Sequence, residues 1–181
     1  MYRDNSLMPK EAVRLAVLGE MLVRGPARYA EVAAAVRHFT GRIAGPSLDL
    51  MGTSLEMLRL EGVIAAVDGA GMEENALLAI TPAGEREFAT LMGASIRAPS
   101  ADSLNKLILA LKMRFLHLLL PEQQQLQVEE LEALFETELA RLEDLRRHHG
   151  SEPGWLGSWL NHDIAQIQDR LTWIRNLGRK V

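Results

Sequence analysis

The 181-residue sequence contains no cysteine, which removes a disulfide framework, a thiolate nucleophile and any cysteine-ligated zinc site. Such a chain fits the reducing cytoplasm, and that is the localisation expected. No run of about 18 uninterrupted apolar residues occurs, and Arg3, Asp4 and Lys10 stand where a secretory signal would carry an apolar block. Neither a membrane span nor a signal peptide is therefore expected. A surplus of positive charge is also lacking: the net charge is −4, which speaks against a strongly basic nucleic-acid-coating protein but leaves room for a local basic face. Catalytic signatures are missing too. There is no nucleophile elbow, no Gly-rich phosphate loop ending in Lys-Ser or Lys-Thr, and no His-Glu-x-x-His. The carboxylates from Glu129 to Glu143 read as the solvent side of an amphipathic helix. Neither an enzyme nor a cofactor is expected.

What is present is the makeup of a globular protein, with 48% hydrophobic, 24% charged and 5% aromatic residues. The stretch from Gly93 to Ser100 has little apolar periodicity and reads as a linker between residues 1–93 and 102–181. In the first block, Val13, Leu15, Ala16, Leu18, Met21 and Leu22 predict a helix over Lys10–Val23, stopped by Gly25-Pro26. Val32, Ala35, Val36 and Phe39 predict a second over Arg28–Phe39, with Gly41 as a left-handed cap. Ser47 is placed to cap a third, in which Leu48, Met51, Leu55 and Leu58 share one stripe up to Gly62. Val63–Val67 and Ala76–Ile80 suit a hairpin with an extended tip, and Thr81-Pro82 opens a fourth helix through Met92. Three helices, a hairpin and a helix in this order predict a winged helix-turn-helix module, followed by a helical domain: a mainly α fold with one small β-hairpin.

In the second block Leu104, Leu107, Ile108, Leu111, Phe115, Leu118 and Leu119 form one apolar stripe, while Leu109, Met113, Leu116 and Leu120 cover much of the rest. A helix apolar nearly all round must be covered on several sides, so a second subunit is expected against it. Pro121 opens a further helix to His148. Leu156, Leu160, Ile164, Ile167, Leu171, Ile174 and Leu177 then follow coiled-coil-like spacing. Leu107, Leu111, Leu160, Ile164, Ile167 and Leu171 are the expected dimer interface. Trp155 and Trp159, one helical turn apart, are candidates for stacking a planar effector, against the plainer reading that they pack. His148, His149 and His162 lack the spacing of a metal site, and His148-His149 suits the C-terminal end of a helix dipole.

The pattern Leu55-x-x-Leu58-x-x-x-Gly62-x-Ile64, followed by Ile80-Thr81-Pro82-Ala83-Gly84-Glu85-Arg86-Glu87, resembles the PadR-like regulators. Leu15-Ala16-Val17-Leu18-Gly19 and Gly25-Pro26 with Glu31-Val32 extend the likeness through the first two helices. Lys106, Leu118-Leu119-Leu120-Pro121-Glu122, Leu131, Leu142 and Trp173-Ile174 are similar to the long C-terminal region of the larger members. The resemblance implies a homodimeric transcriptional repressor whose third helix enters the major groove of a near-palindromic operator, and whose DNA affinity responds to a small effector. The sequence departs from that family on the DNA-reading side: Tyr29-Ala30 precedes Glu31-Val32, Gly52-Thr53 replaces Tyr-Pro, Glu56-Met57 replaces basic residues, and the wing reads Gly71-Met72-Glu73-Glu74-Asn75.

Phosphate contacts supply most sequence-independent DNA affinity, yet residues 1–93 hold nine basic and twelve acidic side chains, a net of −3. Arg28, Arg37 and Arg42 are the expected phosphate contacts, with Ser47, Asp49 and Thr53 toward base edges; the plainer reading makes the arginines ordinary surface charges. The alternative function is a dimeric helical interaction or ligand-sensing protein whose winged helix has lost DNA binding.

Overall fold

The computed structural model describes residues 6–44, 51–67, 76–96 and 102–181; of residues 51–54 only the helical backbone is described. The elements run α1 (Pro9–Arg24), β1 (Ala27–Arg28), α2 (Tyr29–Ala44), α3 (Met51–Leu60), β2 (Ile64–Ala66), β3 (Leu77–Ile80), α4 (Pro82–Met92), α5 (Ser103–Phe115), a 3-10 turn (Leu116–Leu118), α6 (Pro121–His149) and α7 (Leu156–Gly178). The chain is thus mainly helical with one small antiparallel sheet in the order β1-β3-β2. Among the described residues, no helix is long and apolar enough to cross a membrane.

Two compact units divide the chain: Met1–Ser95 with Ala101–Leu116, and Ile96–Ser100 with His117–Val181. The first unit is built on α1. Pro at its first position and the Met8 N–H bonded to Glu11 Oε2 at 2.6 Å start it, and Gly25, at φ +75°, ends it with its N–H on Met21 O. Residues Ala12, Val13 and Leu15 to Met21 are all buried. α2, α3, α4, α5 and β3 each pack against α1. At Gly19 a Cβ would run into the Phe115 ring, so glycine is what lets α5 come this close.

The placement of α5 corrects the expected domain division at residues 93–102. Asp102 caps it through Leu104 N at 2.9 Å, and its Leu107, Ile108, Leu111 and Phe115 are covered by α1 and α2 of its own chain. Fully burying each such side chain stabilises by roughly 1.5–3 kcal/mol. One apolar stripe of α5 is thus covered within the chain, whereas Leu104, Leu109, Met113, Leu118 and Leu119 remain half-buried and Leu120 is exposed. Its basic interruption is met as well: Lys112, fully buried, donates to the Met92 carbonyl at the end of α4.

Three further boundaries differ from the sequence reading. Arg28 lies in β1 rather than in a helix, because Ala27 and Arg28 pair with Leu78 and Leu77 of β3. Gly41 lies within α2, which continues to Ala44. The proposed cap Ser47, with Asp49 and the wing residues Gly71–Asn75, lies outside the described residues.

The second unit is an antiparallel pair. Val128, Leu131 and Phe135 of α6 and Leu160, Ile164, Ile167, Leu171 and Ile174 of α7 are buried along it. Arg175 spans to Glu132 (2.5 Å) and Glu136 (2.6 Å) near one end, and Arg146 donates to Asn161 Oδ1 at 3.2 Å near the other.

A direct check of backbone packing is available at Gly84, where a Cβ would overlap the Val63 carbonyl oxygen and lie 2.7 Å from Ile80 Cγ1. Gly84→Ala is expected to cost about 1–3 kcal/mol in urea unfolding. Gly41→Ala, at a helical position with nothing within 4 Å of the added Cβ, should instead be stabilising by roughly 0.5–1 kcal/mol.

Candidate nucleic-acid interface

The described part of α3 presents a clear inner and outer side. Leu55 and Leu58 are fully buried, whereas Glu56, Met57 and Leu60 are exposed and Arg59 is half-buried.

The C-terminal end of α3 is held from several directions. Gly62, at φ +74°, turns the chain, with its N–H on Arg59 O and the next N–H, of Val63, on Leu58 O at 3.0 Å. Thr81 then joins this corner to α4: its hydroxyl donates to Gly62 O at 2.7 Å and accepts from Gly84 N at 3.2 Å, while its own N–H reaches Val63 O. One threonine thereby caps α4 and fixes the exit of α3. Arg14 of α1 adds an ionic tie, 2.5 Å from Glu61 Oε2 and paired with Glu87 of α4. Burial lowers the Arg14 pKa, but the hydrogen bonds and charges of Glu61 and Glu87 outweigh it and raise the pKa above its ordinary value.

Of the expected phosphate contacts, Arg28 on β1 and Arg37 and Arg42 on α2 are all exposed. The Arg28 N–H bonds Glu31 Oε2 at 3.4 Å. Arg37 and Arg42 make no ion pair with a described residue. Ser47 and Asp49 fall outside the described residues, and Thr53 is placed by its backbone alone. On the acidic side of the balance, Glu56 stands exposed on the same helix.

All six expected dimer-interface residues are covered inside the chain. Leu107 and Leu111 lie in the core of the first unit, and Leu160, Ile164, Ile167 and Leu171 line the α6–α7 seam. Coiled-coil spacing specifies that a partner helix exists, and here α6 is that helix. Exposed apolar side chains of the second unit include Trp155 (86% exposed), Trp159 (53%), Trp173 (51%) and Leu126. Trp155 and Trp159 thus face solvent rather than a cleft in their own chain. His148 and His149 are occupied locally, by the Asp144 carbonyl at 2.9 Å and Glu152 Oε1 at 2.7 Å.

Sequence reasoning missed a buried ionic hub. Glu20, 1% exposed in the middle of the core, accepts from Arg24 at one carboxylate oxygen and from Arg114 at the other. The Arg114 guanidinium lies 4.7 Å from the Phe39 ring centre and 5.1 Å from that of Phe115. Only the Glu20–Arg24 spacing of four residues was visible in advance, and that signal normally marks a surface pair.

If Thr81 is the tie between α3 and α4, Thr81→Val should cost about 1–2 kcal/mol of stability and raise hydrogen exchange selectively at Gly62, Val63 and Gly84. Uniform exchange changes across both units would contradict the assignment.

Against this geometry, a family model described as "Putative AphA-like transcriptional regulator" matches residues 2–178. Comparison with curated proteins returns no match. Among solved structures, the chain is similar to that titled "Crystal structure of Bacillus subtilis PadR in complex with operator DNA", at 16% identity and a TM-score of 0.37, covering 92% of this chain and 97% of that one. With its family model matched over nearly its whole length, the chain belongs to the AphA-like transcriptional regulators.

Proposed function

We propose that the protein is a homodimeric DNA-binding transcriptional repressor whose operator affinity is set by a small effector, in the manner of the larger PadR-like regulators. The observation that carries the reading is α3 itself: its exit is fixed by Thr81 and Arg14, and its outer side is left uncovered by the rest of the described chain. A helix held from behind and free in front is what insertion into a major groove requires.

In this reading Arg28, Arg37 and Arg42 contact phosphates, and Thr53, Ser47 and Asp49 approach base edges. The acidic Glu56 either accepts from cytosine N4 or repels phosphate, so it favours some sequences strongly over others. The second copy docks on the outer side of the C-terminal hairpin. Trp159, Gln166 and Trp173 recur every seven residues there, with exposed Trp155 beyond them. A two-fold related pair of α3 helices would then meet a near-palindromic site. No catalytic step is assigned to the protein, and the cytoplasm is its proposed compartment.

Genomic fragments recovered with the purified protein should share a near-palindromic sequence. In gel shifts on such a fragment, affinity should fall steeply as salt rises. Arg37→Ala and Arg42→Ala should each weaken binding of all sequences alike and reduce the logarithmic salt slope by about 1. Salt-independent binding, or no recovered DNA, would overturn the reading in favour of the interaction-protein alternative.

A further inference from the structure

The described side chains exposed on α3 are Glu56, Met57 and Leu60, while Leu55 and Leu58 are buried and Arg59 is half-buried. None of the three exposed groups carries a hydrogen-bond donor. A carboxylate only accepts, a thioether accepts weakly, and a leucine does neither. For a helix proposed to enter DNA this is an uncommon set, because the commonest specific contact is an Arg or Lys donor on guanine. The phosphate backbone suits it no better, since the Glu56 carboxylate repels phosphate. Inside the major groove the remaining choices are few. The base edges there offer acceptors, the amino donors of adenine and cytosine, and one apolar group, the C5 methyl of thymine. Glu56 suits an amino donor. An apolar side chain beside it has only the methyl to meet.

Position separates the two apolar candidates. A helix-turn-helix recognition helix touches base edges with its N-terminal part. Leu60 is the last residue of α3, just before Gly62 turns the chain away, whereas Met57 stands almost one turn earlier and next to Glu56. Thr81 and Arg14 fix the exit of the helix, so the Met57 backbone is presented at a set place. Its unbranched side chain then adapts to a small apolar target. Scattered exposed apolar residues need no partner. Met57, however, is 43% exposed on the surface that entry into a groove would dry, and removing that area from water is favourable only against another apolar group.

We propose that Met57 is a specificity-determining contact, its side chain packing on the C5 methyl group of one thymine in each half-site of the operator. The proposal rests on the operator reading above and names a base that the operator must contain.

The test is a gel shift of the full chain on a near-palindromic genomic fragment recovered with it, in which the thymines of the half-sites are replaced in turn by 2′-deoxyuridine. That replacement keeps the pairing edge and removes only the methyl. One symmetric pair of thymines should respond, with affinity falling about fourfold for one methyl removed and about 15-fold for both. Met57→Ala should weaken binding of the unmodified fragment by a similar factor and bind the deoxyuridine fragment equally well. Met57→Leu, still apolar, should keep the preference for thymine, and so should Leu60→Ala; circular dichroism confirms that each variant is folded. Equal affinity for thymine and deoxyuridine at every position would overturn the proposal, as would a preference that survives Met57→Ala or one that is lost in Leu60→Ala. Each of these results, with the unmodified fragment still bound, leaves operator recognition standing. A protein that binds no fragment at all removes that reading and the Met57 contact together.

Discussion

Everything in the first unit depends on the near-total burial of α1. A helix with Ala12, Val13 and Leu15 to Met21 all removed from solvent needs neighbours around its whole circumference, and α2, α3 and α4 do not suffice. The missing cover is α5, which the chain reaches only after leaving the winged-helix segment. Gly19 lets the Phe115 ring settle against the helix backbone, and Phe88 of α4 meets that ring edge-on at 6.1 Å. The same requirement explains the ionic hub. Glu20 would be a costly intruder in such a core, and Arg24 and Arg114 satisfy both its oxygens.

From this packed centre the fold passes rigidity outward to α3. The Gly62 corner, Thr81 and the Arg14 pairs with Glu61 and Glu87 convert burial of α1 into a fixed direction for the helix proposed to read DNA. The residues making these ties are few and local in space, though far apart in sequence. The charge pattern is consistent with selective rather than indiscriminate binding: the first 93 residues are net negative, so affinity must come from the placement of a few arginines rather than from bulk attraction.

The elements legible in the sequence were those whose signals are local. Pro9 and Gly25 bracket α1, Thr81-Pro82 opens α4, and Pro121 marks the start of α6. The Thr81-x-x-Gly84 pattern was visible, and the structure supplies its reason: a hydroxyl bridging two elements and a glycine pressed on a carbonyl. What could not be read depended on distant partners. β1 is two residues long and exists because β3 pairs with it. Gly41 had the composition of a helix end, yet α2 runs through it. The heptad-like spacing of Leu160 to Leu171 could not distinguish a partner in the same chain from one in another, and α6 took the role assigned to a second subunit. In the candidate site, Arg28, Arg37 and Arg42 are exposed, which a phosphate contact and an ordinary surface charge both require. The Glu20 hub stayed hidden because Arg114 lies 94 residues away.

The central claim is that two copies of α3 are held one turn of duplex apart. Because the chain has no cysteine, Leu60→Cys at the exposed end of α3 gives a single spin-label site per protomer. Dipolar electron resonance on the labelled protein bound to a recovered genomic fragment should give one dominant distance near 34 Å, roughly one helical turn. A signal without dipolar modulation, or a distance distribution that excludes that separation, would contradict the account.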